Sequence, residues 1–211
     1  MKTDDLIDAL ARGAGSVERT PWRRRLALTL IAGLVVAVAL VAIFLDVRPD
    51  IGAARMPIMM KAMFSATAAA IVLPLTIQLM KPGRPLGWRL GAVALFLALC
   101  ALATWIALMG EMPERRWEAW MGGTMPWCVV LIPLLAAPAA VLLTLLMRAF
   151  SPTRITLAGA AIGALSGGVG AMAYAMYCPI DSVAFVTTWY ALGIAVSAAL
   201  GALIVSRFLR W

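Results

Sequence analysis

The stretch RRRLALTLIAGLVVAVALVAIFLD, residues 23–46, decides the fold. Between Arg25 and Asp46 lie 20 consecutive uncharged residues, and the run opens behind three arginines. About 20 apolar residues, rising 1.5 Å each, are what a helix needs to cross a hydrocarbon core of about 30 Å. A secretory signal has a shorter apolar core, roughly 7–15 residues, ending in a small-residue cleavage site. Here the run is 20 residues long and leads to Asp46-Val47-Arg48-Pro49 without an obvious cleavage site, so it reads as a retained first span.

Five more charge-free runs follow: Ala62–Met80, Leu90–Met109, Met125–Met147, Ile155–Tyr177 and Val183–Val205. Composition agrees with them. Of the 211 residues, 64% are hydrophobic and 13% charged, whereas soluble domains run near 45–50% and about 25%. The runs lack the period-two alternation of membrane β-strands, and a helix satisfies its backbone groups within its own segment. The expected fold is an all-α membrane protein of six transmembrane helices. Residues 1–25 form a cytoplasmic N-terminal segment and residues 26–211 the transmembrane domain.

Charge sets the orientation. Of the 18 Lys and Arg, 13 fall in residues 1–25, 81–89, 148–154 and 206–211; five fall in 46–61, 110–124 and 178–182. Cytoplasmic loops carry the excess of Lys and Arg, so both termini are expected in the cytoplasm. A compact multi-pass chain without an organellar signal points to a bacterial inner membrane. The net charge of +8 then needs no nucleic acid; the lipid bilayer accounts for it.

Every loop is short, which leaves residues 1–25 as the one sizeable cytoplasmic piece. The opening Thr3-Asp4-Asp5-Leu6-Ile7-Asp8-Ala9-Leu10 predicts a small amphipathic helix. Thr3 can cap it, Asp4 and Asp5 suit its positive end, and Leu6, Ile7 and Leu10 share one face. Fewer than three turns do not hold alone in water. Its acidic character suits a protein partner better than anionic lipid, although an idle tail would read the same way.

The six runs contain no Asp, Glu, Lys or Arg, and the chain has no His. Proton relays and ion pathways ordinarily use ionisable groups at membrane depth, and general-base catalysis needs a positioned base. The expectation is therefore neither a proton-coupled pump nor an enzyme, and no cofactor. Gly159, Gly163 and Gly167 recur at intervals of four, as do Gly193, Ser197 and Gly201. Such stripes let helices approach closely, within the chain or in a homo-oligomer; the short hairpin at 178–182 favours the first.

Sulfur gathers on the outer side. Cys128 falls near the outer end of the fourth span and Cys178 at that of the fifth, while Cys100 is mid-span in the third. Two thiols at one depth can form a structural bridge, act as a sensor, or stay unrelated. Ten methionines lie in or beside the outer loops, among them Met125, Met172 and Met176. Thioethers and thiolates are soft ligands for Cu(I)-like ions and are readily oxidised; Met also suits a bilayer boundary or an adaptable groove.

The segment Tyr174-Ala-Met-Tyr-Cys178-Pro179-Ile-Asp181-Ser182-Val-Ala-Phe185, with Trp189-Tyr190-Ala-Leu-Gly193 after it, resembles the NrsF family of negative regulators of sigma-F-type sigma factors. So do the opening Thr3–Leu10, Val47-Arg48-Pro49-Asp50, Trp127-Cys128 and the closing Leu209-Arg210-Trp211. The resemblance runs along essentially the whole chain. It implies an integral-membrane anti-sigma factor that holds an extracytoplasmic-function sigma factor through Asp4, Asp5, Leu6, Ile7 and Leu10. It also implies that Cys128 and Cys178 sense oxidant or heavy-metal stress. The family pattern places a His and an acidic residue beside the second cysteine, where this chain has Tyr177 and Ile180; that departure favours thiol oxidation, or a soft metal helped by Met125, Met172 and Met176. The alternative is a small soft-metal or small-solute transporter.

Overall fold

The computed structural model describes residues 22–81, 87–122, 127–150 and 152–209. Among them there is no strand, and six helices are long and apolar enough to cross a membrane. These are α1 (Trp22–Leu45), α2 (Arg55–Leu79), α3 (Trp88–Met109), α5 (Cys128–Arg148), α6 (Ile155–Tyr174) and α7 (Val183–Phe208). A short helix, α4 (Arg116–Met121), lies between α3 and α5. Residues 1–21 and Met125, which carry several sequence expectations, lie outside the described residues.

The helices follow the apolar runs, and the largest departure is at α2, which starts seven residues earlier than the run beginning at Ala62. Pro57 does not prevent this, because it stands in the first turn, where the missing N–H has no intrahelical acceptor to lose. The early start carries Lys61 into the helix, where its side chain is buried. The expectation of a bundle free of buried ionisable groups therefore holds for the runs but not for the helix built around the second one.

At the centre stands α6, 67% of whose apolar window is buried, against 6% for α3 at the periphery. It packs on α1, α2, α5 and α7. Its sequence explains the position: at close approach to several neighbours there is no room for side chains. A Cβ built on Gly170 would stand 2.7 Å from the Ala136 amide nitrogen and the Ile132 carbonyl oxygen of α5. One on Gly163 would collide with the Ser197 carbonyl of α7. The two small-residue stripes thus meet each other within one chain, the intrachain arrangement expected from the short hairpin.

Hydroxyls and indole N–H groups bond α3 and α4 to α7. Thr104 of α3 lies 2.7 Å from the Thr187 hydroxyl and 3.1 Å from that of Thr188, both on α7. Trp120 of α4 donates its ring N–H to Thr188 at 3.3 Å, and Trp189 donates to the Trp120 carbonyl at 2.8 Å. These bonds fasten peripheral α3 and α4 to α7, the ordinary role of hydroxyls between apolar helices.

Candidate functional site

Cys128 opens α5, and Cys178 stands four residues beyond the last residue of α6. The α5–α6 hairpin therefore returns both to the same end of the bundle. They are 0% and 1% exposed, both are free thiols, and both belong to one apolar cluster with Val41, Ile132, Tyr174, Phe185 and Tyr190. Cys128, Tyr174 and Tyr190 all lie within electrostatic reach of Cys178. The Cys178 thiol has only a weak acceptor, the Ile180 carbonyl at 3.8 Å. Cys100 is buried in α3, outside this cluster.

Aromatic rings wall the thiols. The Tyr174 ring centroid is 5.6 Å from those of both Tyr177 and Tyr190. Tyr190 comes from Val186–Tyr190, a π-helical turn of α7, and its buried hydroxyl has no hydrogen-bond partner among the described residues. A π-turn inserts an extra residue and re-aims side chains, and such turns are frequent at functional sites.

The methionines do not converge on the thiols. Met176 packs against the cluster and Met172 is half-buried one turn earlier. Met56, Met59, Met60, Met63, Met109 and Met112 are exposed. No group of three or more His, Cys, Asp or Glu converges among the described residues. Met176 is the one described methionine that packs against the thiol cluster.

Beside the thiols lies a charged assembly that the reading of the apolar runs did not find. Lys61 donates to the Cys178 carbonyl at 2.8 Å and pairs with Asp181 at 2.6 Å. Arg48 donates to the same carbonyl at 3.3 Å, to Asp181 at 3.1 Å and to Asp50 at 2.7 Å. Its backbone N–H also reaches the Met176 carbonyl at 3.2 Å. The two cations are 7% and 2% exposed, and two carboxylates neutralise them, as burial of charge requires. Arg48 and Asp181 stood within the quoted motifs, so the types were visible; their meeting across 133 positions was not.

Titration follows the pairing. The Arg48 hydrogen bond holds the Asp50 carboxyl below its usual range. Burial pushes Asp181 upward, yet the hydrogen bonds from Arg48 and Lys61 more than offset it, and the net shift is downward. Arg48 is raised above its ordinary value, first by its bond to Asp50 and then by that to Asp181.

Fold and site together define an all-helical bundle with six candidate spans, in which Cys128, Cys178 and the Arg48–Lys61–Asp181 assembly share one end. The chain belongs to the NrsF family: residues 10–211 match the family described as negative regulator of sigma F. Over 214 aligned residues, covering 100% of both chains, it is 36% identical to the probable anti-sigma-F factor NrsF of Azospira oryzae. It is 35% identical over 216 residues, again 100% of both, to the anti-sigma-F factor NrsF of Caulobacter vibrioides. No solved structure matches it.

Proposed function

We propose that this protein is an integral-membrane anti-sigma factor of the bacterial inner membrane, with both termini cytoplasmic. Residues 1–25 hold a sigma factor of the extracytoplasmic-function class, and Cys128 with Cys178 form the sensor that ends the hold. Family membership and two full-length anti-sigma-F relatives support the regulatory part. The observation that carries the sensing part is the burial of both thiols in one apolar cluster at one end of the bundle.

A two-electron thiol oxidant takes two electrons and two protons from the pair, and an S–S bond replaces two S–H bonds. A bridge needs Cα atoms about 4.4–6.8 Å apart and a particular torsion, so it fits one helix arrangement better than another. That difference in free energy is what a switch requires. A soft metal spanning the same two sulfurs would displace two protons and bias the bundle in the same sense.

The test is a reporter for the sigma-dependent promoter in cells carrying the double variant Cys128→Ser, Cys178→Ser. Diamide and a cadmium salt should each induce the wild type and leave the variant at its unstressed level. Equal induction in both strains would remove the sensing role and leave sequestration alone.

A further inference from the structure

We infer that Arg48 and Lys61 are positioning residues that couple Cys178 to helix α1, and through α1 to the segment before Trp22. The inference rests on the sensing role proposed above for the two cysteines.

Both cations meet at one atom. The Cys178 carbonyl accepts from Lys61 at 2.8 Å and from Arg48 at 3.3 Å. They come from different elements: Lys61 sits in the second turn of α2, and Arg48 follows the end of α1 by three residues. Arg48 also bonds through its own backbone to the Met176 carbonyl. The end of α1 is thus tied to residues 176–181 at a backbone carbonyl, at the carbonyl of the sensing cysteine, and at the Asp181 carboxylate.

Helix α1 is held here in a form it would not keep unaided. Its last turn, Val41–Leu45, is π-helical, and Val41 is fully buried in the thiol cluster. Asp46 then adopts φ 61° and ψ 141°, a region that side-chain-bearing residues rarely enter and that surrounding structure must impose. What the structure places on the far side of Asp46 is Arg48 and its bonds.

A change at the Cys178 sulfur therefore meets resistance at its carbonyl. Forming the S–S bond withdraws two electrons and two protons to the oxidant and sets a new torsion about Cys178. Turning that peptide removes an acceptor from two buried cations at once, which disfavours the clamped state. Loss of the clamp frees Arg48, lets Asp46 leave its unusual conformation, and allows the π-turn of α1 to rearrange. The oxidised pair and the intact clamp compete, and α1 carries the result toward its other end.

The experiment uses the full-length protein in its own membrane with its sigma partner, and reads two quantities: reporter output without stress, and the redox state of the two cysteines by thiol labelling after diamide. Lys61→Met removes one arm. The charge-neutral pair Lys61→Met with Asp181→Asn removes a cation and an anion together, and carries the test if the single variant is lost from the membrane. Expected is an unstressed output raised roughly 5- to 150-fold, the usual range of coupling between sites, while diamide still bridges the cysteines as in wild type. Variants silent without diamide and induced normally by it would overturn the coupling and leave the sensor standing. A raised output with cysteines that no longer bridge would also overturn it, since the site itself would then be damaged. If the Cys128→Ser, Cys178→Ser protein responds normally, the sensing reading fails first, and this inference falls with it.

Discussion

Tyr190 keeps its hydroxyl buried beside Cys178 with no hydrogen-bond partner among the described residues. A buried unsatisfied group costs about 1–3 kcal/mol, so Tyr190→Phe should leave thermal stability in detergent unchanged or raise it. The same hydroxyl can donate to a thiolate formed on Cys178, and a hydrogen bond to a charged group is worth about 1.5–3 kcal/mol. We expect alkylation of Cys178 by a small membrane-permeant reagent to slow by roughly 10- to 100-fold in Tyr190→Phe. Unchanged alkylation would show that the hydroxyl does not serve the thiol.

Acid should not open the charged clamp in the ordinary range. Asp50 and Asp181 both titrate below the ordinary aspartate range in the folded protein. A depressed carboxyl contributes stability that is present above its unfolded pKa and lost as pH falls through the folded one. The melting temperature should therefore be insensitive to these two groups from pH 8 to pH 5 and should fall below about pH 4. Asp181→Asn should flatten the acid-side fall. A loss between pH 8 and pH 5 that Asp181→Asn abolishes would contradict the assignment.

Gly163 tests the centre of the bundle. A side chain there meets the Ser197 backbone rather than a flexible tip, so Gly163→Val should destabilise by about 3 kcal/mol, at the upper end for overpacking. The exposed Gly91 should accept Ala with a change under about 1 kcal/mol. Comparable melting temperatures for Gly163→Val and wild type would mean that α6 and α7 do not pack in this register.

Orientation is tested at an exposed position, because Cys128 and Cys178 are both buried. In a chain whose three native cysteines are replaced by Ser, Glu114→Cys should react with a membrane-impermeant maleimide added outside intact cells. Reaction only after lysis would invert the proposed topology.

The N-terminal segment has its own test. Leu6→Glu or Leu10→Glu should abolish sigma-factor pull-down while the protein stays in the membrane. Each removes an apolar contact worth about 1.5–3 kcal/mol and sets a charge in the interface. Retained pull-down in both variants would place the binding element elsewhere.

The spans were legible because crossing a bilayer is a demand of composition and length, and Leu26–Leu45 or Leu90–Met109 satisfy it on inspection. The shared end of Cys128 and Cys178 was legible for the same reason, since two consecutive spans return the chain to one side. Lys61 was not. As a charge just before an apolar run it read as a loop residue, and its burial depends on a carbonyl 117 positions away. The exposed methionines show the converse: Met56 and Met59 are among the ten beside the outer loops, but only packing decides which face a helix hides.

Helix α7 carries two π-turns, at Val186–Tyr190 and Gly201–Val205. Each holds one residue more than the α-helical turn it replaces, so converting one to regular helix would swing everything beyond it by about 100° around the axis. The seam on α6 tolerates no such swing, because Gly159 and Gly163 face backbone of α7 at Gly201 and Ser197. The glycines act as a keyway that fixes the azimuth of α7 at Ser197 and at Gly201, the first residue of the second π-turn. Because Gly159 also faces the Ser206 backbone, any rearrangement that spares the seam leaves the phase of Ser197, Gly201 and Ser206 unchanged and is confined to the segment bearing Tyr190.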